Sequence, residues 1–175
     1  MKELKPLTKE TEKLRKRIES IEKHINEIAK LLEETEKELI KVREKLTKKE
    51  EQVLEIAREL RKLEHKLIET KQKIKHHRKY LQKADSPREY ERLLQQRQKL
   101  IDKALELSDK IDQLRKKYQE LIDEEDKLLQ KEEELERKRD KLRKEYNYLL
   151  QELQSLTEYL NRKIRQIQEK YNLQS

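Results

Sequence analysis

The sequence has no glycine, cysteine, tryptophan or phenylalanine, and only two prolines in 175 residues. Without glycine, a phosphate-cradling loop of the glycine-rich type cannot be built. Without cysteine there is neither a disulfide framework nor a thiolate metal site. Seven tyrosines supply all the aromatic residues, 4% of the chain, too few to fill an ordinary globular core. No apolar run approaches the length that spans a bilayer, and Met1-Lys2-Glu3-Leu4-Lys5-Pro6 lacks the apolar stretch of a signal peptide. A cytoplasmic protein with no membrane span is expected.

What is present is charge. Asp, Glu, Lys and Arg make up 48% of the residues and hydrophobic types 32%. Such a balance marks either a disordered chain or a coiled coil, and periodicity separates the two. Alternate steps of three and four residues from Leu4 reach Leu7, Thr11, Leu14, Ile18, Ile21, Ile25 and Ile28, and continue without a break to Ala84. Only Thr11, Thr35, Lys49, Thr70 and His77 put polar groups on this seam. A second seam starts at Tyr90. Its d positions are leucine at every heptad from Leu93 to Leu156, while its a positions are mixed and include Arg97, Glu125, Glu132 and Arg139. After Leu160 the spacing slips to Ile164, Ile167 and Tyr171, a stutter in the repeat. Both seams predict long helices.

Between them lies Lys83-Ala84-Asp85-Ser86-Pro87-Arg88-Glu89. Ser86 reads as an N-cap, Pro87 as the first helical residue and Glu89 as the third, the pattern of a capping box. Pro87 also keeps Ser86 out of the helical region, so one helix ends here and another begins. The fold class is therefore all-α, a long antiparallel two-helix coiled-coil hairpin with helices over about 6–84 and 87–172 and the tip at 85–87. The whole of 1–175 is read as one elongated hairpin, about 120 Å long at 1.5 Å per residue, with no separate globular domain. A single helix kinked at Pro87 in a parallel dimer is the rival, but it leaves the capping box without purpose. A tight turn sets a register in which facing residue numbers add to 174. Leu81 then meets Leu93, Leu60 meets Leu114, Ile25 meets Leu149, Ala84 meets Tyr90, and Lys49 faces Glu125.

Candidate functional features follow from that frame. Between Arg61 and Lys103 there are 14 Lys and Arg against 6 Asp and Glu, so this stretch accounts for the entire net charge of +8. A basic tip formed by Lys71, Lys75, Arg78, Lys79, Lys83, Arg88 and Arg92 would suit an acidic partner; otherwise it is a solvated surface. Extra apolar residues at e, namely Leu94, Ile101, Ile122, Leu129 and Leu150, widen the second stripe. They serve either as simple flank packing or as a surface for self-association or a helical partner. Glu125, Glu132 and Arg139 at successive a positions either reach outward past the leucines or soften the seam. His76 and His77 point about 100° apart on a helix and cannot chelate one ion together, so no metal, cofactor or catalytic group is assigned.

The stretch Ser86-Pro87-Arg88-Glu89-Tyr90-Glu91-Arg92-Leu93-Leu94 after a long helix resembles the helical hairpin of bacterial coiled-coil proteins that end in a C4-type zinc ribbon. The specific part of the likeness is under ten residues, and the ribbon's four cysteines are missing. The resemblance implies an adaptor or chaperone-like role. The expected function is non-enzymatic scaffolding or adaptor work by protein–protein binding through the basic tip. The alternative is sequence-independent nucleic-acid or ribosome binding by the same tip.

Overall fold

The structure, a computed structural model, describes residues 4–171. It consists of helix α1, Leu4–Gln82, and helix α2, Pro87–Tyr171, packed against each other as a helical hairpin. Among the described residues there is no strand, and no helix is long and apolar enough to cross a membrane. Residue 172, the expected end of the second helix, lies outside the described residues, as does the side chain of Leu4.

The helix boundaries differ from those expected in two places. α1 begins at Leu4, because Pro6 falls in its first turn, where a missing N–H leaves no intrahelical bond unmade. It ends at Gln82 rather than 84. Lys83 and Ala84 instead donate to the carbonyls of Tyr80 and Leu81 at 3.2 and 3.5 Å, three residues back, which tightens the last turn before the chain reverses. The connection therefore spans residues 83–86, not 85–87.

The chain's contacts divide it into two compact units, each built from both helices. Of the described residues, the first unit takes those up to Arg43 and those from Lys131 onward; the second is Glu44–Gln130. In the first unit Ile21, Ile25, Ile28 and Leu149 form the buried cluster, with Leu142, Tyr146, Leu153 and Leu156 packed around it. Leu39, Val42, Leu135 and Leu160 are also buried there. In the second unit the buried apolar side chains are Leu46, Ile56, Leu81, Leu93, Leu107, Ile111 and Leu121. Each belongs to the heptad seam. Every seam position from Leu7 to Ala84 and from Leu93 to Tyr171 is buried or half-buried.

The register holds in each unit taken separately. In the first, Arg17 pairs with Glu152, Glu36 with Arg143 and Arg43 with Glu136, at 3.2, 3.1 and 3.0 Å. In the second, Glu64 pairs with Arg115 at 3.1 Å and Lys49 with Glu124. The paired numbers fall symmetrically about 174, as g-to-g and e-to-e contacts flanking an antiparallel seam should. Two layers depart from expectation. Lys49 meets Glu124 rather than Glu125, because its ammonium reaches the interface edge, where the carboxylate stays hydrated. Tyr90 is 46% exposed and closes no layer with Ala84, since α1 has already ended and nothing helical lies opposite it.

Polar seam residues are accommodated in two ways. Thr11, Thr35 and Thr70 are buried, and each hydroxyl donates to a carbonyl one turn back in its own helix, on Thr8, Leu31 and Lys66 at 2.8, 2.7 and 2.7 Å. No buried hydroxyl is left unsatisfied at these positions. The long a-position side chains of the first unit reach outward: Glu132 toward Arg43 at 3.9 Å, Arg139 to Asp140 at 3.3 Å. Their stems cover the seam while the charges stay wet.

This yields a stability prediction. The Leu31 carbonyl already accepts a helical N–H, so Thr35→Val deletes a donor without orphaning an acceptor and buries a methyl group instead. It should raise the free energy of unfolding by about 1 kcal/mol in urea titration. A loss of similar size would mean that the hydroxyl is needed to hold the layer together.

Candidate functional site

The turn end of the second unit is set by its helix cap. The Glu89 amide donates to the Ser86 hydroxyl at 3.2 Å, as the capping box requires, and Tyr90 N–H donates to the Ser86 carbonyl at 3.0 Å to begin α2. The return half of the box shifts by one residue: the Glu89 carboxylate accepts from the Asp85 amide at 3.4 Å, not from Ser86. Glu89 also sits at the positive end of the α2 dipole. Two amides at the helix start are thereby satisfied, which holds a turn built without glycine. Ser86→Ala should cost about 1 kcal/mol, and Glu89→Ala less, in denaturant melts. A negligible effect of both would show that helix packing alone holds the turn.

Lys71, Lys75, Arg78, Lys79, Lys83, Arg88 and Arg92 are all exposed in the second unit. They do not form one cluster. By heptad position Lys71, Lys75 and Arg78 lie along the e side of α1, and Lys79 lies on its outer face. Lys83 is in the turn, and Arg88 and Arg92 line a shallow hollow with Ser86 and Glu89. None of the seven makes an ion pair with a described residue. Glu64–Arg115 is the cross-helix ion pair nearest the turn; from residue 65 to residue 114 no described ion pair joins the helices. Elsewhere Arg17, Arg43 and Arg143 are matched across the interface, by Glu152, Glu136 and Glu36.

The opposite edge holds a second group of cations. Lys66 and Lys73 from α1 and Lys103 and Lys110 from α2 line one open groove of about 330 Å³ over Thr70 and Leu107, with only Glu69 and Glu106 of opposite charge. Lys66 and Lys103 occupy facing g positions, where Arg17 and Glu152 attract one another in the first unit. Here two cations face each other, a destabilising arrangement that an anion would relieve. The signal was legible: once register is set, like charges at g positions can be read off both helices.

His77 and Arg97 share a seam layer, as expected. The His77 Nε2 lies 3.3 Å from the Gln96 amide oxygen and its ring meets Tyr80 edge-on at 6.2 Å, while His77 Nδ1 and Arg97 Nε are buried without partners. Among the described residues no three His, Asp or Glu side chains converge as metal ligands. The apolar flank divides. Ile101 and Ile122 are half-buried in the second unit, whereas Leu94 and Leu129 stand exposed there; Leu150 is exposed in the first unit. The offset that joins Glu64 to Arg115 puts Ala57 beside Ile122, which accounts for part of its cover.

No family model matches the chain, and no solved structure matches it. An uncharacterized protein of Aquifex aeolicus (strain VF5) is 81% identical over 26 residues, which cover 15% of this chain and 14% of that protein. A match of that length transfers no function.

Proposed function

We propose that this chain is a non-enzymatic, cytoplasmic adaptor or scaffold that binds an acidic surface of a protein partner through the turn end of its hairpin. The observation that carries this reading is the change in charge matching along the helices. Ion pairs link α1 to α2 up to Glu64–Arg115, and beyond that pair the cations have no described acidic partner. Retaining this much unmatched positive charge costs folding energy through self-repulsion, which docking onto carboxylates recovers. The rigid cap at Ser86 and Glu89 presents Arg88 and Arg92 on an ordered helix start, and this limits the entropy lost on binding. The resemblance of Ser86–Leu94 to zinc-ribbon hairpin proteins points to the same class of role.

The lysine groove favours a second reading. Four ammonium groups along one edge suit the phosphates of a nucleic acid, bound without regard to sequence. Two variants separate the readings. Arg78→Glu, Lys79→Glu, Arg88→Glu and Arg92→Glu together leave the seam untouched and should abolish capture of an acidic protein partner. Lys66→Glu with Lys103→Glu should leave that capture intact. On the second reading duplex affinity falls with salt at a logarithmic slope of about 3 to 4, for four phosphate contacts. The Lys66/Lys103 variant then loses it. Partner binding unchanged by the fourfold reversal would overturn the adaptor reading.

A further inference from the structure

The layer of His77 and Arg97 is unlike the other polar layers of the seam. Thr70, one heptad away, bonds its hydroxyl within its own helix. His77 and Arg97 are half-buried, and His77 Nδ1 and Arg97 Nε are buried without a hydrogen-bond partner. The imidazole is held on one side only, with Nε2 3.3 Å from the Gln96 amide oxygen. A neutral ring with its proton on Nε2 donates to that oxygen and leaves the Nδ1 lone pair unbonded. Protonation places a second N–H at Nδ1, where there is no acceptor. It also adds positive charge to a layer that already holds a guanidinium.

No group nearby offsets that charge. One turn to either side covers 73–81 on α1 and 93–101 on α2, and neither stretch contains Asp or Glu. By heptad position Lys73, Arg78 and Tyr80 flank His77 on α1, and Arg97 faces it from α2. Lys75, His76, Lys79 and Lys99, all exposed, lie further round the two helices. The first carboxylates beyond these stretches are Glu69, Asp85, Glu91 and Asp102, none of them on the seam. Glu69 lies 3.1 Å from His65 Nε2, and Asp102 accepts from Gln98 at 3.0 Å.

Between this layer and the turn, little holds the helices together. Leu81 and Leu93 are the one buried pair there, because Ala84 and Tyr90 close no layer. No described ion pair joins the helices between residues 65 and 114. We infer that His77 is a proton-operated latch: when its ring takes up a proton, α1 and α2 separate from the His77 layer to the turn and expose Leu81 and Leu93. Opening hydrates both the imidazolium and the guanidinium, so the open form binds the proton more readily than the closed one. Acid therefore favours opening. Histidine is the side-chain type that ordinarily changes charge between about pH 5 and 8, so the latch works across neutrality. Freed from each other, the two helix ends lose their tertiary support and fray.

Hydrogen exchange of the full chain, followed by mass spectrometry and corrected with an unstructured peptide, reads this opening directly. Between about pH 8 and about pH 5.5, protection of the helical amides within 78–96 should fall about tenfold, while protection in the first unit should not fall. His77→Leu should abolish the fall, and Arg97→Leu, which removes the opposing cation, should diminish it. His76→Gln, one residue away on the exposed side, should leave it in place. The carboxylates of the turn remain in all three variants, so a contribution from them would persist in His77→Leu. Equal protection of the wild type at both pH values would overturn the inference. So would a fall that persists in His77→Leu, is undiminished in Arg97→Leu or is lost in His76→Gln. No partner enters the measurement, so its outcome is independent of the adaptor reading.

Discussion

Each helix carries an apolar stripe that it cannot bury alone, and among the described residues its cover is the stripe of the other helix. With no aromatic core, disulfide or sheet, contact along the a and d positions is the one large favourable term available. The interface is one layer thick. Even its best-covered residues, Thr35 and Leu39, keep 2% exposure. Substitution at any one layer is therefore felt locally, and the ion pairs along the edges add only tenths of a kcal/mol each. Their value lies in register: a slip of one heptad would separate Glu64 from Arg115 and Arg43 from Glu136.

The same constraint explains how polar residues survive on the seam. A threonine satisfies its hydroxyl within its own helix, so Thr35 and Thr70 need nothing from across the interface. A long charged side chain lends its methylenes and sends its charge to the edge, as Arg139 does toward Asp140 and Lys49 toward Glu124. Function is then left to the edges and to the turn, the parts of the surface that the seam does not use. In the second unit both edges carry cations toward the turn, Lys66, Lys73, Lys103 and Lys110 on one and Lys71, Lys75 and Arg78 on the other.

Most of the architecture was legible in the sequence because it depends on spacing alone. The heptad steps identified every buried position, and Ser86-Pro87-Arg88-Glu89 located the reversal. What escaped depends on where atoms sit within a turn of helix. Glu89 accepts from Asp85 rather than Ser86, α1 stops two residues early, and Tyr90 is consequently left open. The basic tip was legible as composition, but its division was not. Lys79 lies on the outer face of α1, whereas Arg92 lines the hollow at the start of α2 with Ser86, Arg88 and Glu89. Leu54, Ile68 and Leu105, more than half exposed, are single apolar residues off the seam and so invisible to a search for a heptad stripe.

The most direct test of the account is the register itself. With Leu60→Cys and Leu114→Cys in a chain that has no other cysteine, mild oxidation at low concentration should form one disulfide within each chain and compact the molecule on a denaturing gel. The pair Leu60→Cys and Leu121→Cys, one heptad out of register, should remain reduced under the same conditions. Equal oxidation of both pairs, or crosslinks formed only between chains, would contradict the antiparallel hairpin.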